Sequence, residues 1–379
     1  MLLFTWITLM FFVGIVLSLI IGIIALLATK FIRGPPKSLI GLRVSMAVTA
    51  IAVVFGSLGV LYLIDYLTSG TAPLIYSGIA MVAGFMVFQW IISPFLINLA
   101  YRTRDPGPGE EWIVRAVVDY AKRAGFRSPP KVKIAEVDAP NAFAYSSLIG
   151  GSYIAVTRGL LSLMPKEEIE AVIGHELGHL KHKDVHVILA LSLIPVAIFY
   201  IGRYLLTWGW LMGGGSSRDR QGNATLYYVG LGLILVIAGV IFQFLVTHFN
   251  RLREYFADAH SAGLTGNPRL LQRALARLAL VYENSPELSS TASKSAAMLF
   301  IVNYLINATG GMAYDPYDEF LPRRRATRRV IVDIDAAVEE LMQRETSALV
   351  ELFSSHPPIP KRLRFLENMR IRGEKIRVE

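Results

Sequence analysis

The chain contains no cysteine. That excludes disulfides, thiolate metal ligands and a cysteine nucleophile, so any metal must be held by histidine, carboxylate and water. Charge is also scarce: Asp, Glu, Lys and Arg make up 18% of the 379 residues, against 53% hydrophobic residues and a mean hydropathy of +0.46. A soluble enzyme is rarely so apolar, and the expectation is a membrane protein with a water-facing portion. The acidic side of the charge balance is the weaker one, leaving a formal net charge of +9. No nucleic-acid recognition module follows, and basic residues also gather on the cytoplasmic side of membrane proteins, so nucleic acid is not expected as a partner. There is no internal repeat, and no basic segment precedes the first apolar run, which is too long for a signal peptide and reads as a retained anchor.

Four stretches lack Asp, Glu, Lys and Arg entirely: Leu2 to Thr29, Val44 to Ile64, Leu74 to Ala100 and Leu226 to Thr247. Each reaches the ~20 residues needed to cross the hydrocarbon as a helix. A fifth apolar run, Val187 to Gly202, is shorter and stops at Arg203, though Tyr204 to Met212 can extend it; it spans, tilts or dips back. The loop with Lys30, Arg33, Lys37 and Arg43 is basic and the next carries only Asp65, which puts the N-terminus outside and Tyr101 onward in the cytoplasm. The expected organisation is 1–100 as N-terminal membrane helices, 101–184 and 248–379 as two parts of one catalytic domain, and 185–247 as a transmembrane or re-entrant hairpin. The two cytoplasmic parts together are long enough for one sizeable core. "GGGSSRDRQGNAT" reads as a flexible outside linker in which Asn223 fits a glycosylation sequon.

What the chain does have is "AVIGHELGHLKHKD", Ala171 to Asp184. Pro165 with Lys166, Glu167, Glu168 and Glu170 behind it marks a helix start, with acids at the positive end of the dipole. On that helix His175 and His179, four residues apart, share a face and converge on one ion, for which zinc is the natural choice. Glu176 then lies where a carboxylate can take a proton from a water attacking a carbonyl. Two histidines do not hold a catalytic zinc by themselves. The metzincin third ligand would fall at Val185, and the glycine of that pattern at His182, so that route is closed. The next candidate is "NRLREYFADAHSAG", Asn250 to Gly263, read as a helix ending at glycine with Glu254 and Asp258 on one face. Glu254 would be the third ligand and Asp258 would accept the free N–H of a ligating histidine. The plainer alternative is an exposed acidic pair neutralised by Arg251 and Arg253. If Glu254 joins the histidines, the apolar segments between them must cross the membrane an even number of times.

With "PNAFA", "HELGH", "EYFAD" and "SSHPP" in this order, the sequence resembles the HtpX-like membrane metalloproteases, gluzincins related to the type 1 CAAX prenyl endopeptidases. The likeness covers roughly Asp105 to Asn303 and the tail around His356. It implies a mainly α fold: multi-pass membrane helices plus a cytoplasmic gluzincin-like α+β catalytic domain with a small β-sheet. It implies one zinc on His175, His179 and Glu254, with Asp258 behind them. "PNAFAYSSLIGGSYIAVTRGLL" reads as two short β runs joined around Gly150-Gly151 and then a helical segment. The resemblance implies that Asn141, Ala142, Phe143 and Ala144 lie on or beside an edge strand that binds substrate; a buried hairpin is the alternative. It also implies that His356 approaches the zinc and helps hold the substrate or the developing oxyanion, with Arg362 as an anchor or a substrate contact. His182, His186, His248 and His260 are expected to be structural or interfacial. The segment 305–352, with an arginine cluster from Arg323 to Arg329, departs from the compact pattern and reads as an insertion. The function expected is a membrane-anchored zinc endopeptidase cutting misfolded or membrane-associated proteins on the cytoplasmic side, with protein or peptide substrates and the lipid bilayer as partners. A prenyl-protein protease and a non-catalytic membrane scaffold are the alternatives.

Overall fold

A computed structural model describes residues 38–68, 72–213, 221–284, 333–346, 351, 354 and 356–372. In chain order the elements are α1 (Leu39–Thr68), α2 (Ala72–Ala100), β1 (Thr103–Arg104), α3 (Glu111–Arg123), β2 (Lys131–Ala135), β3 (Ala142–Ser147), β4 (Gly151–Thr157), α4 (Arg158–Leu163), α5 (Lys166–Lys181), α6 (Asp184–Gly213), α7 (Gln221–Thr265), α8 (Pro268–Asn284), α9 (Ile334–Gln343) and α10 (Ile359–Arg372). The expected span at Leu2 to Thr29, the arginine cluster and most of the expected insertion lie outside the described residues. Within the expected insertion, 334–343 is α9, capped by the Asp333 side chain accepting from the Asp335 N–H.

Among the described residues four helices are long and apolar enough to cross a membrane: Leu39–Asp65, Tyr76–Ala100, Asp184–Gly209 and Leu226–Thr265. One settles an alternative left open by the sequence, and one differs from the expectation. The short fifth run is part of one 30-residue helix, α6, which continues past Arg203. The Asn250 to Gly263 helix is not separate but the end of the 45-residue α7. No glycine or proline interrupts the chain between Thr247 and Gly263, and a change from apolar to polar does not itself stop a helix. Termination comes at Gly266, in the left-handed region at φ +69°, followed by Asn267 and Pro268.

The chain divides into two compact units. One comprises Arg43–Met86 and Ile188–Phe249 among the described residues and is wholly helical. Its α6 and α7 meet along glycines: a Cβ at Gly202 would lie 2.7 Å from the Val236 nitrogen, and one at Gly239 would lie 2.9 Å from the Phe199 Cα. Small residues at such a seam let backbones approach where no hydrophobic effect drives helices together.

The other unit comprises Val87–Val187 and the chain from Asn250 onward, with 38–42. It contains a four-stranded sheet in the order β1-β2-β4-β3. β2 and β4 are parallel, while β1 and β3 run antiparallel to their neighbours, leaving β3 on an edge. β3 alternates between half-buried Ala142, Ala144 and Ser146 and buried Phe143, Tyr145 and Ser147, the two-residue period of a strand with one covered face. Phe143 and Tyr145 pack with Ile97, Tyr101, Ala135 and Ala155. The expected pair of β runs and following helix are β3, β4 and α4, the last capped by Thr157 Oγ1 accepting from Leu160 N–H at 3.2 Å. The amphipathic α3 buries Ile113 and Val117 and docks near α5, where Tyr120 Oη donates to Glu170 at 3.2 Å.

Candidate metal centre

α5 begins at Pro165, whose position just outside the first turn costs no hydrogen bond, and Glu167 and Glu168 occupy that turn. Its far half presents His175 and His179 on one face. Their Nε2 atoms face each other at 3.1 Å. The carboxylate of Glu254, on the last third of α7, completes the group at 3.7 Å from His175 Nε2 and 3.4 Å from His179 Nε2. One ligand atom from each of the three lies within 4.8 Å of the others. A tetrahedral zinc with bonds of about 2.0–2.1 Å needs donor pairs about 3.3 Å apart, a value the separations bracket, with Glu254 turning Oε2 toward His175 and Oε1 toward His179.

The helices can come this close because two glycines on α5 face small residues on α7. A Cβ at Gly178 would lie 3.1 Å from the Ala257 Cα, and one at Gly174 would lie 3.3 Å from the Ser261 Cα. Ser261 Oγ also donates to the Ala171 carbonyl at 2.5 Å.

Each histidine is backed by a carboxylate. His175 Nδ1 lies 2.9 Å from Asp258 and His179 Nδ1 lies 2.7 Å from Asp184. An ionised carboxylate only accepts, so each Nδ1 carries the proton and each Nε2 keeps its lone pair for an ion. The carboxylates are in turn held by arginines. Arg362 on α10 grips Asp258 with two bonds, of 2.9 and 2.5 Å, and lies 3.4 Å from Glu254; Arg253 forms an ion pair with Asp184. Glu254 and Asp258 are 4% and 0% exposed, which rules out an exposed acidic pair. Arg251 does not neutralise it either, donating instead to the Ser354 and Glu351 carbonyls at 2.8 Å.

Glu176 Oε2 accepts from the Ala144 N–H of β3 at 2.8 Å, which ties the helix to the sheet edge. Burial raises its carboxyl above the ordinary value, opposed by His175 and His179 nearby. His356, half-exposed on the segment before α10, puts Nδ1 3.2 Å from Glu254. Of the residues expected around the substrate, Ala142 and Ala144 are half-buried on the edge strand, Asn141 precedes it with its N–H bonded to Thr157 Oγ1, and Phe143 points into the core. Arg362 is buried on Asp258. His182, expected to be structural, stacks edge-on against Phe256 and lies near His260; burial first, and then the charge of its neighbours, lowers its pKa to about 3.

Sequence reasoning assigned no role to Asp184 or to Trp90. Asp184 stands five residues after His179, beyond the end of α5, and only that spacing signalled it. Trp90 on α2 donates its indole N–H to the Ser146 carbonyl at 2.8 Å, and nothing in its flanking sequence marked it.

The profile of peptidase family M48 matches residues 109–370. The chain belongs to that family. It is 48% identical to the protease HtpX homolog of Aeropyrum pernix over 86% of this chain and 97% of that protein. The HtpX homolog of Pyrobaculum calidifontis is 36% identical, with 92% and 93% covered. The crystal structure of S. mikatae Ste24p aligns with a TM-score of 0.49 at 16% identity, over 88% of this chain and 68% of that one. This M48 chain is therefore an HtpX-like, membrane-bound metalloprotease, a hydrolase of peptide bonds, with peptide substrates and a lipid bilayer around its apolar helices. The His175, His179 and Glu254 group is its candidate metal site.

Proposed function

We propose that the chain is a zinc endopeptidase that cuts misfolded or membrane-associated proteins on the cytoplasmic side, as part of membrane protein quality control. The observation that carries this reading is the donor set of His175, His179 and Glu254, spaced for one tetrahedral ion with Glu176 beside it. The chemistry supplied by a bound zinc would be Lewis acidity, polarising the scissile carbonyl and lowering the pKa of the attacking water.

The remaining work falls to the protein. Glu176 takes the proton from the water and passes it to the leaving nitrogen; its raised pKa suits a group that must both accept and release a proton. Its bond to Ala144 holds that carboxylate beside β3, whose edge would pair with an extended substrate backbone through Asn141, Ala142, Phe143 and Ala144. Ala142 and the Ala144 carbonyl carry the outward main-chain groups of that stretch, since Phe143 has its ring in the core and its main chain opposite Ala155 on β4. His356 steadies the charge that develops on the carbonyl oxygen. Arg362, we infer, anchors Asp258 and Glu254 rather than touching substrate, because its guanidinium is occupied and buried.

The stretches 101–184 and 248–379 form one split catalytic domain in this reading, with 185–247 as a membrane hairpin between them and 305–352 as an insertion. The basic loop before Val44 supports a cytoplasmic catalytic side and an N-terminus outside. The test is digestion of casein and of a model membrane protein with and without a zinc chelator, beside the Glu176→Gln variant. Chelation should stop cleavage. Glu176→Gln should keep stoichiometric zinc and lose at least the 10²- to 10⁴-fold typical of a general base; full activity in that variant would remove the assigned base.

A further inference from the structure

The loop joining β3 to β4 is Leu148, Ile149 and Gly150, and the first two side chains are 76% and 70% exposed. Tight hairpin tips in water favour Gly, Asn, Asp and Ser, which satisfy their own backbone; two large aliphatics in succession there are out of place. The hairpin lies along one face of the last turns of α2. Trp90 donates to the Ser146 carbonyl, Asn98 Oδ1 accepts from Tyr145 Oη at 2.5 Å, and between them a Cβ on Gly150 would lie 3.0 Å from the Pro94 ring.

These contacts fix the depth of the tip. The apolar span in α2 runs Tyr76–Ala100, 25 residues, and a hydrocarbon core about 30 Å thick takes about 20 of them. With exposed Tyr76 at one interface, the other falls close to Phe95. Pro94 therefore lies at that boundary, and Gly150 lies against it. Phe88 within the span and Phe95 at the boundary are exposed apolar residues of the same helix, so Leu148 and Ile149 extend the apolar surface of the span.

We propose that the β3–β4 tip is a membrane wedge: Leu148 and Ile149 insert among the acyl chains and hold the end of the edge strand at the bilayer surface. β3 then leads from the lipid boundary to the candidate metal centre, with roughly 10 Å of strand between Ser147 and Ala144, the residue bonded to Glu176. A polypeptide leaving the bilayer would meet the strand at its Ser147 end. Trp90, already holding the Ser146 carbonyl, closes that part of the edge to pairing and leaves Ala142 and the Ala144 carbonyl, whose own N–H is bonded to Glu176, on the outer edge.

The chain's lack of cysteine makes the test direct. Leu148→Cys, Ile149→Cys and, as an aqueous control on α3, Asp119→Cys are each labelled with an environment-sensitive fluorophore in the full-length protein, reconstituted in phosphatidylcholine vesicles. Unchanged thermal midpoints establish that the variants fold. The expected result is blue-shifted emission at 148 and 149, at least threefold stronger quenching by acyl-chain nitroxide lipids than at 119, and protection from aqueous iodide. Iodide quenching at 149 equal to that at 119 would overturn the proposal, because the tip would be in water. Protection from both quenchers would overturn it too, placing protein rather than lipid over the tip. The labelling reads position and not catalysis, so its failure is distinct from failure of the peptidase reading.

Discussion

Gly178→Ala tests whether the close approach of α5 and α7 is what makes the metal site. The added methyl group would meet the Ala257 Cα at 3.1 Å, the His260 Cβ at 3.2 Å and the Ala257 Cβ at 3.4 Å. All three are backbone atoms or Cβ atoms fixed to the backbone of a helix interior and cannot swing aside, so the helices must separate by a few tenths of an ångström. Gly178 adjoins His179, and Ala257 adjoins Asp258 and lies one turn from Glu254. The separation is therefore imposed on the 3.4 Å between His179 Nε2 and the Glu254 carboxylate. Zinc bonds tolerate about 0.2 Å. Overpacking costs about 1–3 kcal/mol, offset by about 1 kcal/mol of helix propensity gained on replacing glycine. The metal-free fold should thus lose no more than about 2 kcal/mol, while zinc affinity should fall on the order of 10-fold or more. The assay is competition against a chromophoric zinc chelator in detergent, with thermal unfolding of the metal-free protein alongside. A variant that gained stability and bound zinc as tightly as the parent would refute the argument.

Other perturbations follow from the same contacts. Arg362→Met leaves Asp258 and Glu254 buried without a cation, a loss of about 3–5 kcal/mol that should lower the unfolding midpoint of the metal-free chain by on the order of 10 °C; a shift under about 2 °C would show the pair to be compensated elsewhere. Asp184→Asn replaces an acceptor-only carboxylate with an amide that can also donate, so the His179 tautomer is no longer fixed and zinc affinity should drop on the order of 10- to 100-fold, read by the same chelator competition. His182, half-buried and neutral with a pKa of about 3, takes up a proton between there and its ordinary 6.5 only when the chain unfolds. Its contribution is therefore neutral above pH 6.5 and destabilising as pH falls from there toward 3. Between pH 7.5 and 5.5 His182 should contribute a loss on the order of 1 kcal/mol, discounted for partial exposure, and His182→Phe should reduce the total loss by that amount while leaving the share of the neighbouring His260, which is lowered to about 4.

How much of this was legible in the sequence depends on whether a contact is carried by a periodicity. His175 with His179, and Glu254 with Asp258, share helix faces at a spacing of four, and that spacing alone predicts which side chains converge. The alternation in "AFAYSS" likewise gave β3 its two faces. Element ends were less legible. α7 was expected to begin afresh near Asn250 because hydropathy changes at His248, yet hydrogen bonding continues wherever no glycine or proline interrupts it, and the helix persists to Thr265.

Asp184 was illegible for a more specific reason. The chain between α5 and α6 turns at Lys183, which takes a left-handed conformation at φ +53° with its N–H on the Leu180 carbonyl. Lysine carries none of the cues that glycine or asparagine would give for that conformation. Without this turn Asp184 would extend the α5 register, and a residue five after His179 lies about 140° round an α-helix from it. With it, the carboxylate swings back to 2.7 Å from the imidazole and meets Arg253 from α7. The symmetry of the site, two histidines each held by a carboxylate and each carboxylate by an arginine, thus comes half from helical repeat and half from a single backbone reversal. A substitution that makes the reversal easier, Lys183→Gly, should leave the Asp184 bond intact, whereas one that resists it, such as Lys183→Val, should weaken zinc binding as Asp184→Asn does, without touching any side chain of the site.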